Sequence, residues 1–237
     1  MKILALDSSG LVASVALLEN DNLVAEFTVN NKKTHSQTLL PMLDEVVNAA
    51  GIELDAVDAI AIAAGPGSFT GLRIGAATVK GLSLALDKPV VPVPTLEGLA
   101  YNFWGSDRLI CPIMDARRNQ VYTGLYRFDE AGNLVTEMDQ IPMDVNELID
   151  LLLEKDEEVQ FTGDGIQVYG SQILSKMKHA RLAPAHLNKQ KAGSVAYAGT
   201  YRYAHEQYIN GDDFAPEYLR MSQAERERKE KGERNEE

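Results

Sequence analysis

The residues best suited to chemistry fall in two short stretches, Asp7-Ser8-Ser9-Gly10 and the turn from Gly65 to Gly71 (GPGSFTG). An acid followed by two hydroxyls at a strand end can hold a magnesium-bound phosphate. A glycine-rich turn that opens a helix can offer backbone amides to phosphate oxygens. Gly65 and Gly67 permit backbone angles closed to other residues and let the chain approach closely, either to a ligand or to a second element. The turn lacks the Gly-Lys-Ser/Thr ending of a P-loop, so the glycines alone leave both uses open. A second acid, Asp115, ends another apolar stretch and is followed by Arg117 and Arg118, which compete for it as ion-pair partners. Either acid can equally serve to cap its own turn.

No other set of residues completes a catalyst. His35, His179, His186 and His205 are scattered singly, without the spacing of a metal-binding helix. Cys111 is the one cysteine and lies in an apolar strand, where a buried thiol is inert. There is no G-x-S-x-G nucleophile elbow. The single cysteine excludes an internal disulfide and suits a reducing compartment, so a cytoplasmic location is expected. No apolar run reaches the roughly 18 residues of a membrane-spanning helix, and no membrane association is expected. Acids outnumber bases 35 to 23, for a net charge of −12. A protein that grips nucleic acid alone presents a basic face, so any work on nucleic acid would be shared with another chain.

The elements that must position these residues read as a duplicated α/β unit. ILALDSS is a strand ending in an acid, and VASVALLE and LVAEFTV follow with period-two alternation, which predicts three antiparallel strands. A helix capped by Thr38 follows, with Leu39, Leu43, Val46, Val47 and Ala50 as its stripe, Pro41 in its first turn and Gly51 as its stop. DAIAIAA is a buried strand leading into the glycine turn and a second helix. That helix is apolar around most of its circumference, with Arg73 and Lys80 its only charges before Asp87. It therefore needs cover on most sides, from its own chain or from another subunit. Apolar strand, acid, polar turn and alternating strand recur through ICPIMDARRNQVYTGLYRF, then a helix in MDVNELIDLLLE and a strand and glycine in EVQFTGDG. Asp7 and Gly65 are 58 residues apart, Asp115 and Gly163 48. Two such lobes of mixed β-sheet and crossover helices describe the two-lobed actin-like (ribonuclease H-like) fold. Lobes at 1–100 and 101–219 are expected, with a charged, disordered tail at 220–237.

The ordered set MKILALDSSGLVASVALLE, HSQTLLPMLDEVV, IAIAAGPGSFTGLRIGAATVKGLSLAL, VPVPTLEGLA, PIMDARRNQVYTGLY and FAPEYLR resembles the TsaB (YeaZ-type) family, from Met1 to about Leu219. This resemblance implies a companion subunit in making N6-threonylcarbamoyladenosine at position 37 of ANN-reading transfer RNAs. It implies pairing with the catalytic paralogue TsaD, joined by the ATPase TsaE, and contact with transfer RNA only through that complex. The paralogue binds its metal through a pattern like H-x-E-G-H, and the matching segment here is Thr95-Leu96-Glu97-Gly98-Leu99. Threonine and leucine cannot replace two imidazoles, so no metal and no resident cofactor is expected, beyond weak ATP or ADP binding by Asp7, Ser8, Ser9, Gly65 and Gly67. By the resemblance the interface falls on the amino-terminal helices, at Leu39, Leu43, Val46, Gly71, Leu72, Gly75, Ala76, Val79 and Leu82. A charge at Gly75 or Ala76 is then expected to weaken pairing, and the isolated chain to form a homodimer. Two other readings are an independent ATPase or kinase using Asp7 and the turn, and a glycoprotease.

Overall fold

A computed structural model describes residues 1–31 and 33–220. The expected charged tail lies outside the described residues, apart from Arg220. Strands β1 (Lys2–Asp7), β2 (Ala13–Glu19) and β3 (Asn22–Val29) form an antiparallel meander, as the alternation predicts. They are followed by α1 (His35–Ala50), β4 (Ala59–Gly65), α2 (Phe69–Leu86) and β5 (Val90–Pro94). β4 and β5 run parallel to β1, which gives the order β3-β2-β1-β4-β5.

A short helix, α3 (Thr95–Ala100), leads to the second sheet. There β6 (Leu109–Arg117), β7 (Gln120–Phe128) and β8 (Leu134–Asp144) make a second meander. Helix α4 (Val145–Lys155), strand β9 (Val159–Thr162), helix α5 (Ile166–Lys176) and strand β10 (Ala180–Leu182) complete it. Its order, β10-β9-β6-β7-β8, repeats the first sheet strand for strand. The fold is the expected α/β arrangement of two duplicated mixed sheets, the actin-like architecture.

Alternation along β1 divides the first sheet into two unlike faces. Leu4 and Leu6, with Val15, Leu17, Ile60 and Ile62, meet Leu39, Met42, Leu43, Val46 and Val79 from α1 and α2. Ile3, Ala5, Ala16, Ala59, Ala61 and Ala63 line the other face and receive α6 (Ala192–Ala204). Small side chains on both partners bring that helix close. A Cβ on Gly199 would stand 2.7 Å from the Ala61 methyl. The chain thus returns from the second sheet to cover the first, and a boundary at residue 100 separates the sheets without separating their helical layers.

Two local expectations need correction. Helix α1 starts at His35, one turn before the Thr38 cap. His35 shares a 2.9 Å hydrogen bond between its ring Nε2 and the Gly10 carbonyl, which ties the first turn to the β1–β2 connection, and the Thr38 hydroxyl donates back to the Thr34 carbonyl. Pro41 therefore sits inside the helix, on its exposed side, where the amide it lacks costs least. Gly51 does stop the helix, in the left-handed conformation at φ 65°.

Candidate functional site

Asp7 ends β1 between two neighbouring strands and is 1% exposed. Its Oδ1 accepts hydrogen bonds from the Ser9 amide (2.8 Å) and the Ser9 hydroxyl (2.6 Å), so the acid caps its own turn. Burial pushes its carboxyl up to about 6, against the opposing pull of the Ser9 bonds and His35. The Ser8 hydroxyl donates to the Gly71 carbonyl at 2.9 Å. Both serine hydroxyls named by the sequence are therefore spent within the protein.

The glycines of the turn are shaped by the same contact. A Cβ on Gly67, Gly71 or Gly75 would stand 2.3 Å from the Ser9 carbonyl, 2.1 Å from the Ser8 carbonyl and 2.5 Å from the Ser8 Oγ respectively. They let the first two turns of α2 press against the Asp7–Gly10 connection. The Ser68 amide donates to the Ser9 carbonyl (2.7 Å), the Gly71 amide to the Ser68 side chain (3.3 Å) and the Gly65 amide to Thr95 Oγ1 (3.1 Å). Of the two uses left open for the glycines, close packing accounts for these three amides.

In front of the turn lies a cavity of about 460 Å3 between the lobes. Its near wall is Ser9, Gly10, Gly67, Ser68 and Phe69, and its far wall Asp115, Arg117, Tyr122, Asp164 and Gln167. Asp115 is held by the Arg117 amide (2.9 Å) and the Tyr169 hydroxyl (3.2 Å), with the Arg117 guanidinium more distant at 3.9 Å. Burial raises the Asp164 carboxyl above its usual range. Asp7 does not line this space. A nucleotide phosphate here would meet the carboxylates of Asp115 and Asp164, an arrangement that needs an accompanying cation.

The segment aligned with the paralogue's metal motif is given over to packing. Thr95 is fully buried and holds the Gly65 amide, and Leu99 is fully buried among Ile110, Met114 and Tyr126 where the sheets meet. Glu97 pairs with Arg202 of α6 at 2.6 Å, and a Cβ on Gly98 would touch Val195 at 3.3 Å. Among the described residues there is no group of three His, Cys, Asp or Glu side chains able to hold a metal.

The residues assigned to a partner surface face inward. Leu39, Leu43, Val46, Leu72, Ala76 and Val79 are all at most 7% exposed, Gly71 and Gly75 are buried, and Leu82 packs on the same core. Their apolar character is explained by this chain's own sheet, and a charge at Gly75 or Ala76 would disrupt the monomer itself. The surface that α1 and α2 present outward is made by other positions. On α2 these are Thr70, Arg73, Ala77, Gly81, Leu84 and Ala85, and on α1 they include Leu40, Pro41, Asp44, Glu45, Asn48 and Ala49. Leu84 is 78% exposed and Leu40 55%, and a Cβ on Gly81 would meet nothing within 4 Å. Sequence reasoning missed this face because the helix is apolar all round. The signal was the run Ala77, Gly81, Ala85 at four-residue spacing.

Comparison with known proteins adds the family. The family model for TsaD, tRNA N6-adenosine threonylcarbamoyltransferase, matches residues 22–228. The chain is 34% identical to the tRNA threonylcarbamoyladenosine biosynthesis protein TsaB of Bacillus subtilis, over 95% of this chain and 96% of that one. It is 36% identical to the tRNA N6-adenosine threonylcarbamoyltransferase of Syntrophobacter fumaroxidans, over 52% of this chain but 37% of that enzyme. Among solved structures, YeaZ from Pseudomonas aeruginosa superposes with a TM-score of 0.77 at 27% identity, covering 92% of this chain and 99% of that one. No helix among the described residues is long and apolar enough to cross a membrane.

Proposed function

The chain belongs to the TsaB family of tRNA threonylcarbamoyladenosine biosynthesis proteins, and on that premise we propose that it is the non-catalytic companion of the transferase TsaD, docking through the outer face of α1 and α2. One observation carries this reading. Where the paralogue's motif has metal ligands, Thr95 and Leu99 are both fully buried and hold the turn and the interlobe core together. The chain has kept the architecture of an enzyme and filled its reactive position with packing. Asp7, the acid on which the reading as an independent ATPase or kinase rests, is turned onto its own Ser9.

The exposed stripe supplies the other half of the reading. Ala77, Gly81 and Ala85 allow a partner helix to come close, while Leu84 and Leu40 stand out as anchors beside them. Transfer RNA would be held by the assembly, because a chain of net charge −12 has little attraction for phosphate. TsaE would join the pair, and the reaction would run in the cytoplasm. Without TsaD, the same stripe would bring two copies of this chain together.

Sedimentation of an equimolar mixture with TsaD tests the pairing. A single species of one chain each is the expected result. Separate species at micromolar concentrations would remove the basis for the proposal.

A further inference from the structure

On the face of the first sheet opposite α1 and α2, a cavity of about 440 Å3 opens between the edge strand β3, the start of α6 and the short turn Tyr101–Phe103. That volume falls within the roughly 300–1,000 Å3 of small-molecule pockets. A bulge in β3 builds one wall. Ala16 pairs with Glu26, Leu17 with Ala25 and Leu18 with Leu23, which leaves Val24 as the extra residue. Leu23 and Glu26 therefore share the face of Ala16 and Leu18, against α6, where strict alternation would have divided them. Gly193 in the first turn of α6 lets both come near, since a Cβ there would stand 3.1 Å from Glu26 Oε1 and 3.3 Å from Leu23. A second wall is aromatic. The Tyr197 ring meets those of Tyr101 (5.8 Å) and Trp104 (6.5 Å) edge to face, and Trp104 is 57% exposed.

The polar groups of the lining divide into two sets. Asn102 and Ser194 are occupied: the Ser194 hydroxyl donates to Asn102 Oδ1 at 2.7 Å, and the Asn102 amide nitrogen donates to the Leu187 and Lys189 carbonyls. Glu26 and Lys191 are not. Glu26 Oε1 accepts from the Gly193 amide at 2.8 Å, but Oε2 has no partner among the described residues. The Lys191 ammonium has none either, so two opposite charges line one cavity without pairing. We propose that this cavity takes a guanosine monophosphate unit, free or as an unstacked residue of RNA. The base lies against the Trp104 and Tyr197 rings, Glu26 Oε2 accepts from its Watson–Crick edge, and Lys191 meets its phosphate. Every base has a flat face for such rings, so the aromatic wall gives affinity without discrimination. The carboxylate, an acceptor only, discriminates. Guanine sets two donors side by side, N1–H and the N2 amino group, whereas adenine and cytosine set an acceptor beside their amino group. One ammonium is enough for one phosphate, which suits a chain too acidic to track an RNA backbone.

Trp104 is the chain's one tryptophan, so its fluorescence reports on the cavity. GMP is expected to quench it saturably, with AMP binding roughly fivefold more weakly or worse. Tyr197→Ala removes part of the aromatic wall and should weaken GMP roughly fivefold. Glu26→Gln keeps an oxygen for the Gly193 amide but turns a donor toward the base, and should abolish the preference for GMP without lowering the melting temperature. In the reaction with TsaD and TsaE, a raised KM for transfer RNA at unchanged kcat in Tyr197→Ala assigns the nucleotide to RNA, and an unchanged KM assigns it to the free pool. Only that arm rests on the companion reading. Absence of saturable quenching by millimolar GMP, equal affinity for AMP, or tighter binding of N-acetyl-arginine amide overturns the proposal.

Discussion

Gly81→Glu combined with Leu84→Glu should weaken the complex with TsaD at least a hundredfold while leaving the melting temperature of the isolated chain almost unchanged. Gly81 has open space where a side chain would go, and Leu84 is 78% exposed, so neither substitution disturbs this chain's core. Replacing a helical glycine also removes a local penalty of about 1 kcal/mol, which favours the folded monomer. In the complex the same positions would be closed off from water. Two carboxylates without partners there cost several kcal/mol, and each 1.4 kcal/mol is tenfold in affinity. The control is Gly75→Glu on the same helix. Its side chain would be driven into Ser8 Oγ, and it should unfold the monomer as well as abolish pairing. Isothermal titration with thermal melts of each variant separates the two effects. Wild-type affinity in the double variant would place the interface elsewhere.

The second large effect concerns Asp7. Its carboxyl sits at about 6 in the folded chain, against an ordinary value of 3.8. Between roughly pH 4 and 6 the folded protein keeps a proton that the unfolded chain releases. Stability therefore falls as pH rises through that window and stays at its reduced level above it. A shift of about two units bounds the cost at ~3 kcal/mol. Asp7→Asn keeps an oxygen to accept both Ser9 bonds and carries no charge to bury. The variant should exceed the wild type by up to ~3 kcal/mol at pH 8 in urea unfolding, and the two should converge near pH 4. A variant less stable than wild type at pH 8 would mean that the ionised carboxylate is held by something other than Ser9. The substitution should leave TsaD activation intact, since the acid is turned away from the cavity and from the outer helical face.

Much of this fold could be read from the sequence, and the parts that could not have a common cause. The apolar runs of Ala13–Glu19 and of β4 report strands buried on both faces, and the alternation in Asn22–Val29 reports an edge strand with no buried residue; local pattern is enough for them. Helix α6 escaped because its core face is Ala192, Val195, Ala196, Ala198 and Gly199, a stripe too small to be conspicuous. It makes sense only beside a sheet face of alanines roughly 130 residues earlier. The inner and outer sides of α2 were exchanged for the same reason. Gly71 and Gly75 look like an invitation to a partner until the Ser8 and Ser9 carbonyls are known to occupy that space. The path of Phe214–Arg220 was invisible because FAPEYLR has no periodicity. Its fastenings lie in Ala64, Gln140 and Ala116, far away along the chain. The absence of a histidine pair at Thr95 and Leu99 needed only the sequence, but what those residues do instead needed the structure.

The most direct test of the companion role is the modification reaction itself, reconstituted with TsaD, TsaE, threonylcarbamoyl-adenylate and an ANN-reading transfer RNA. TsaD alone should turn over little or not at all, addition of this chain should restore the rate, and Gly81→Glu/Leu84→Glu should fail to restore it. Full modification by TsaD in the absence of this chain would contradict the account.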